Sequence, residues 1–364
     1  MTLVAKVRIH SIVLQIKNSG LCSLFLFVVV LLGLSACEPQ SLITQEKVVY
    51  SGPIMGTQYR ITMLLDSIDD KTLSEQRYKI IEEKVVGVME SVNNSMSTYI
   101  EDSELSQLNK APSNNAINLS DGLFEVIQES LLISQMSDGA FDITLGNVVN
   151  SWGFGERGRI DTVPDDDVLN ELNSRVGYQN LLMKDRSLTK LVDGIEINLS
   201  AIAKGYGVDQ VANVLIGLGI DDFLIDIGGE LRASKPEGST HVWRIGVEKP
   251  HVLGGVQEVI GLHNQAIATS GDYRNYLVVD GKQYSHTIDP ATLRPVLHKL
   301  ALVSVISDNT STADALATAI MAMGEVQGLE FVNKHNLAAY MVVRSDEPDS
   351  YKIQMTEAFK HYLL

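Results

Sequence analysis

The sequence is short of cysteine, of positive charge and of long apolar runs, and each shortage excludes a class of function. Only two cysteines, Cys22 and Cys37, occur among 364 residues. Thioester, redox-cysteine and zinc-ribbon chemistries therefore have no thiol to work with in the body of the chain. Lysine and arginine number 29 against 45 aspartates and glutamates, a formal net charge of −16. That balance, with no run of basic residues, excludes a nucleic-acid binder, because a phosphate backbone needs a basic footprint. A mean hydropathy of +0.07 excludes a multi-span membrane protein. With 45% hydrophobic and 20% charged residues, the composition is that of a folded globular chain. If so acidic a protein holds a phosphorylated ligand, a metal ion, a helix N-terminus or a placed lysine must offset the repulsion.

The common catalytic signatures are also missing. There is no G-x-x-x-x-G-K-[ST] and no H-E-x-x-H, and Ser270 lacks the flanking glycines of a nucleophile elbow. The histidines show no close pairing, which argues against zinc. Gly153-Phe154-Gly155-Glu156-Arg157-Gly158 matches G-x-G-x-x-G literally. No strand pattern precedes it and no helical pattern follows, so these glycines read as loop and not as a dinucleotide fingerprint.

Residues 1–36 read as a secretory address. Lys6, Arg8 and Lys17 give a basic start, and Leu21 to Ala36 form an uncharged, mostly apolar run. The run falls short of the roughly 20 residues a spanning helix needs. It ends in Leu34-Ser35-Ala36-Cys37, similar to a bacterial lipobox in which the cysteine is acylated and the chain is cut before it. The competing reading is a plain signal-anchor with an incidental cysteine. Glu38 follows where an aspartate associated with inner-membrane retention would stand, so the choice between the two membranes stays open. Residues 37–47 read as a polar tether carrying the lipid on Cys37.

Residues 48–364 read as one body, in one lobe or two, with no Pro/Gly/Ser-rich linker inside it. Strand patterns at Tyr59–Leu65, Phe223–Ile227, Trp243–Val247, Leu277–Val279 and Leu300–Ile306 intermingle with helical patterns at Glu75–Asn93, Phe124–Met136 and Ala313–Met323. The mixture is irregular, without strict strand-helix alternation, and predicts an α+β fold.

Two segments carry oxygen and nitrogen chemistry. In the late helix, Asp314 and Thr318 are four apart and project from one face, an oxygen-only pair suited to Mg²⁺. The alternative is an aspartate favoured by the helix dipole and a threonine bonded back to its own helix. Strand-like Glu196-Ile197-Asn198-Leu199 leads into Ser200, a candidate N-cap whose following amides would form an anion site. Lys204 would add a point charge there, or else stand as a solvated surface lysine.

Taken together, the chain resembles the FAD:protein FMN transferase family, also called the ApbE or thiamine-biosynthesis lipoprotein family. The resemblance rests on Met55-Gly56-Thr57, Met96-Ser97-Thr98-Tyr99, Asp138 to Thr144 (DGAFDIT), Ile197 to Asp209 (INLSAIAKGYGVD), Asp226 to Glu230 (DIGGE), Ala266 to Tyr276 (AIATSGDYRNY), Ser285 to Pro290 (SHTIDP) and Ala313 to Ala319 (ADALATA). It implies an α+β architecture related to the T-fold. It also implies Mg²⁺-dependent transfer of FMN from FAD to a threonine hydroxyl of a target protein, with release of AMP. The implied acceptors are subunits of membrane redox complexes of the sodium-pumping quinone-reductase and electron-bifurcating types. The implied location is the periplasmic side of the cell envelope, on the bilayer through acylated Cys37.

Position by position, the resemblance implies that Met55, Tyr99, Ala140, Phe141, Asp142, Asn198 and Lys204 line the flavin dinucleotide. The Ala201 carbonyl, Asp314 and Thr318 would hold the metal, and His286, in the SHTIDP segment, becomes the candidate general base. A loop-orienting structural role for His286 stands beside that. Three departures from the family pattern appear. Asn198 stands where aspartate is usual, Leu293 stands where a glycine is usual, and Asp138-Gly139-Ala140 is followed by Phe141 and not by an acceptor threonine. Two other functions compete: a metal-dependent FAD pyrophosphatase using water, and a non-catalytic lipid-anchored flavin-binding protein. Covalent flavin on a target threonine separates the first from transfer, and tolerance of Asp314→Ala marks the second.

Overall fold

A two-residue hairpin turn sets the first edge of the fold. Met55 and Gly56 both take left-handed backbone, with φ of 48° and 72°, as the tightest hairpin turns require. They join strand β1 (Gln45–Ile54) to β2 (Thr57–Asp66) in an unbroken antiparallel ladder from Gln45↔Asp66 to Ile54↔Thr57. The structure, a computed structural model, describes residues 44–250, 255–273, 275–347 and 350–364. The proposed signal segment, Cys37 and most of the tether lie outside these residues. Gln45, Glu46 and Lys47, expected to fall in the tether, instead pair with β2 as the first residues of β1. The chain divides at Thr44, and residues 45–364 form one compact unit.

The main sheet is antiparallel throughout. Its remaining strands are β3 (Phe223–Ile227), β4 (Glu230–Ser234), and, after a separate hairpin of β5 (Trp243–Glu248) with β6 (Val256–Leu262), β7 (Ala266–Gly271), β8 (Leu300–Ser307), β9 (Ala338–Arg344) and β10 (Tyr351–Met355). The order across the sheet is β1-β2-β3-β4-β7-β8-β9-β10. Strand β8 reads as a continuous apolar run because both of its faces are covered. Val303 and Val305 enter one core while Leu302 and Ile306 enter another.

On one face pack the helices α1 (Lys71–Met96), α2 (Asp121–Met136), α3 (Ala203–Gly217) and α4 (Thr310–Lys334). Their stripes are those the 3.6-residue spacing marks, with Ile81, Val85 and Met89 of α1 buried against β2 and α3 and Val92 in the core shared with α2 and α4. The β5–β6 hairpin and Phe359 cover the other face around β7, β8 and β9. This is the α+β architecture that the sequence predicts. Helix α4 is long and apolar enough to cross a membrane by length and composition, yet most of it is buried inside the fold. The predicted end at Met323 coincides with a break: Gly324 has φ of 77°, and the helix resumes beyond it to Lys334. The His298 ring would lie 2.7 Å from any Cβ placed on Gly324.

Two local expectations need correction. Glu196 to Leu199 is extended but makes only one sheet contact, a parallel bridge from Glu196 to Leu145. The Asn109 side chain stands in for a neighbouring strand, accepting from the Ile197 N–H at 2.8 Å and donating to the Ile197 carbonyl at 2.9 Å. Ser200 does not cap a helix, because α3 starts at Ala203 and Ile202 holds the cap position without a side-chain bond. The Ser200 hydroxyl and N–H both donate to Asn198 Oδ1 instead, at 2.6 and 2.9 Å.

Candidate active site

The helix starts of α3 and α4 meet the ends of several strands around a cleft of about 840 Å³. That volume sits in the upper part of the roughly 300–1,000 Å³ range of small-molecule sites. Ala140, Phe141, Asp142, Asn198, Ala201, Lys204, His286, Asp314 and Thr318, named from four scattered segments of sequence, all line it. Met55 and Tyr99 do not. Met55 packs against α3, its sulfur 3.3 Å from where a Cβ on Gly207 would lie, and it borders a separate shallow depression. Tyr99 is exposed beside the cleft, its hydroxyl 3.5 Å from the carbonyl of cleft residue Phe154.

Charge in the cleft is lopsided. Asp142, Asp226, Glu230, Glu248 and Asp314 line it, against Lys204, Arg244 and His286. Lys204 is committed, with its ammonium 3.4 Å from Glu230 Oε1 and 3.5 Å from Asp314 Oδ2. Burial alone would lower the Lys204 pKa, but the Asp314 and Glu230 carboxylates outweigh it and hold it above the ordinary lysine value. Burial also drives the Glu230 carboxyl far above the usual range, opposed by Lys204 and reinforced by Asp314. Glu230 is 4% exposed, and its Oε2 has no hydrogen-bond partner.

Asp314 reaches back across the helix pair. Its Oδ2 accepts the N–H of Gly205 at 3.2 Å, so part of the helix-start anion site expected after Ser200 is filled from within the protein. One turn further along α4, the Thr318 hydroxyl lies 3.4 Å from the Ser270 hydroxyl at the end of β7. The Ala201 carbonyl belongs to the turn that precedes α3. Among the described residues no three of His, Cys, Asp and Glu cluster as a metal cage. A carboxylate, a hydroxyl and a main-chain carbonyl nevertheless make a hard, oxygen-only donor set. With an unpartnered buried carboxylate oxygen lining the same cleft, the site fits Mg²⁺ and not a softer ion.

His286 faces this group from another wall. Its Nδ1 is 2.9 Å from the Asn275 carbonyl, and its ring meets Phe154 edge-on at 6.4 Å. A carbonyl only accepts, so Nδ1 carries the proton and Nε2 keeps its lone pair. Burial lowers the His286 pKa against the Asn275 hydrogen bond, and the Lys204 charge lowers it further, favouring the neutral ring.

Two of the flavin candidates hold loops as well as lining the cleft. Asp142 accepts from the N–H and hydroxyl of Thr144 at 2.8 and 2.6 Å and from the Tyr178 N–H at 2.9 Å. Burial raises its pKa despite those bonds. Asn198 supplies through Oδ1 the acceptor that an aspartate would supply to Ser200, so the departure leaves this turn intact. Leu293 adopts the left-handed backbone that a glycine would take, with φ of 56°. Its carbonyl accepts from Trp152 Nε1 at 2.8 Å. The G-x-G-x-x-G segment forms turns, and only Phe154 and no helix from it reaches the cleft.

Sequence reasoning overlooked one wall. The β5–β6 hairpin contributes Arg244, Gly246 and Glu248, alternating with Ile245 and Val247, which enter the core. The strand pattern at Trp243–Val247 was readable, but nothing local says which cleft the strand borders.

Comparison with known proteins agrees with this geometry. The sequence model of the ApbE family matches residues 55–341. The FAD:protein FMN transferase of Vibrio cholerae is 39% identical over 336 residues, which is 92% of this chain and 96% of that protein. Its counterpart from Haemophilus influenzae is 37% identical across 90% of this chain and 94% of its own length. The solved structure of the flavin transferase ApbE from Vibrio cholerae matches with a TM-score of 0.79 at 38% identity, covering 88% of this chain and 100% of that one.

Proposed function

Since the chain belongs to the ApbE family and is an enzyme of the FAD:protein FMN transferase kind, we propose that it transfers FMN from FAD to a threonine hydroxyl, with Mg²⁺, and releases AMP. The threonine oxygen attacks the FMN-side phosphorus, the bridging P–O bond breaks, and its electron pair leaves with AMP. The hydroxyl proton passes to His286 Nε2. That assignment is supported by the Asn275 carbonyl, which fixes the proton on Nδ1, and by the burial that keeps the ring neutral.

Asp314, Thr318 and the Ala201 carbonyl are the residues that would hold Mg²⁺, whose charge would neutralise the phosphoryl oxygens and the leaving phosphate. Lys204 adds a fixed positive charge at the same place. Ala140, Phe141, Asp142 and Asn198 are the walls against which FAD binds, with Met55 and Tyr99 outside that lining. The acceptors proposed are threonine-bearing subunits of membrane redox complexes of the sodium-pumping quinone-reductase or electron-bifurcating type. The chain would meet them from the periplasmic side of the envelope, lipid-anchored through Cys37.

One observation carries the reading: the oxygen donors of Ala201, Asp314 and Thr318 share a single acidic cleft with a histidine whose tautomer is set. The test is incubation with FAD, Mg²⁺ and an acceptor domain. Covalent FMN on a threonine is expected. Free FMN alone would make the protein a pyrophosphatase, and retained FAD without turnover would make it a binder.

A further inference from the structure

Helices α3 and α4 exchange carboxylates at their starts. The cap position of α4, Asn309, makes no capping bond with its side chain. Its work is done by Asp209 of α3, which accepts the Thr310 N–H at 3.0 Å, the Thr310 hydroxyl at 2.9 Å and the Ser311 N–H at 2.9 Å. In return, Asp314 of α4 accepts the Gly205 N–H of α3. Arg232 of β4 holds the arrangement from the sheet, donating to Asp209 Oδ1 at 2.5 Å. Asp209 is 7% exposed, so these amides have no water to fall back on. The helices approach so closely that a Cβ on Gly205 would lie 2.5 Å from the Thr310 carbonyl oxygen.

We propose that Asp209 is a positioning residue for the metal site: by capping α4 from a neighbouring helix, it sets where Asp314 and Thr318 project into the cleft. Asp314 stands one turn past Thr310 and Thr318 two turns past it, so the first turn of α4 is the frame for both. Removing the cap leaves two buried amides unsatisfied, and the first turn frays or rotates to find partners. The inference rests on the proposed metal ligands, but the clamp itself is a matter of hydrogen bonds and is testable without metal.

The test uses the full chain with Asp209→Ala and, should that variant fold poorly, Asp209→Asn, which keeps one acceptor oxygen. Mn²⁺ binding, followed by the signal of the free ion, is expected to weaken about tenfold or more in Asp209→Ala and less in Asp209→Asn. The dissociation constant for FAD measured without metal should not move, and hydrogen exchange should quicken at Thr310 and Ser311. Unchanged Mn²⁺ affinity, or a parallel loss of Mn²⁺ binding, FAD binding and melting temperature, overturns the proposal. If Asp314→Ala leaves Mn²⁺ binding intact, the metal assignment has failed instead, and unaltered exchange at Thr310 and Ser311 in Asp209→Ala would separately refute the clamp.

Discussion

The carboxylate of Asp314 lies 3.2 Å from the backbone N–H of Gly205, so one side chain belongs to the start of two helices. Gly205 permits this because it has no Cβ. Replacement by alanine would place a methyl 2.5 Å from the Thr310 carbonyl oxygen and 2.8 Å from the Ser311 Cα, both on backbone that cannot swing away. Gly205→Ala is therefore expected to destabilise the fold by about 1–3 kcal/mol and to raise the Mg²⁺ concentration needed for transfer. Denaturant unfolding and a Mg²⁺ titration measure the two effects.

His286 gives a kinetic prediction. His286→Ala should reduce transfer by about 10²–10⁴-fold, the usual contribution of a positioned base, with FAD binding largely kept. Equal loss of binding and turnover would make the histidine structural.

The same residue sets a pH dependence. Burial disfavours the imidazolium, so the folded pKa lies below the ordinary value of 6.5 and the ring stays a base into more acid solution. The acid limb of the transfer rate should fall below pH 6.5 and vanish in His286→Ala. A limb at or above that value contradicts the assignment.

Lys204 stabilises the carboxyl groups of Glu230 and Asp314, whose side chains are each 5% exposed, while its own side chain is 27% exposed. Losing it leaves buried charge uncompensated, at a cost of about 3 kcal/mol at most once its partial exposure is discounted. Added Mg²⁺ should return positive charge to Asp314. The Mg²⁺-induced rise in melting temperature is therefore expected to be larger for Lys204→Ala than for the native chain.

Leu293 poses a conflict that magnitudes decide. Its left-handed backbone costs about 1–2 kcal/mol, whereas deleting a buried leucine side chain costs about 2–5 kcal/mol. The side chain is 3% exposed in the cluster with Trp152 and Ile288. Leu293→Gly should thus lower stability despite relieving the strain, and a higher melting temperature would show the reverse ranking.

Much of this was legible in the sequence, for reasons that are local. Apolar spacing marked α1 and α4, and alternation or buried runs marked β2, β3 and β8, because those patterns report a face turned to a core. The four-residue step from Asp314 to Thr318 survives folding unchanged, since a helix puts both on one side. Ser200 misled because a hydroxyl before a helical run is a cap signal only if no nearer donor or acceptor claims it, and Asn198 does. The true cap of α4 stands 101 residues upstream at Asp209, and no local rule links positions so far apart. Glu230 and Arg244 share a cleft because the β5–β6 hairpin packs on the face of the main sheet, a tertiary contact that no local pattern announces.

The most direct test is mass spectrometry of an acceptor domain incubated with FAD and either the native chain or Asp314→Ala, with Mg²⁺ or with a chelator. The account predicts one added FMN on a threonine with the native chain and Mg²⁺, none with the chelator, and at least about 100-fold slower labelling by the variant. Equal labelling without a divalent ion, or by Asp314→Ala, would contradict it.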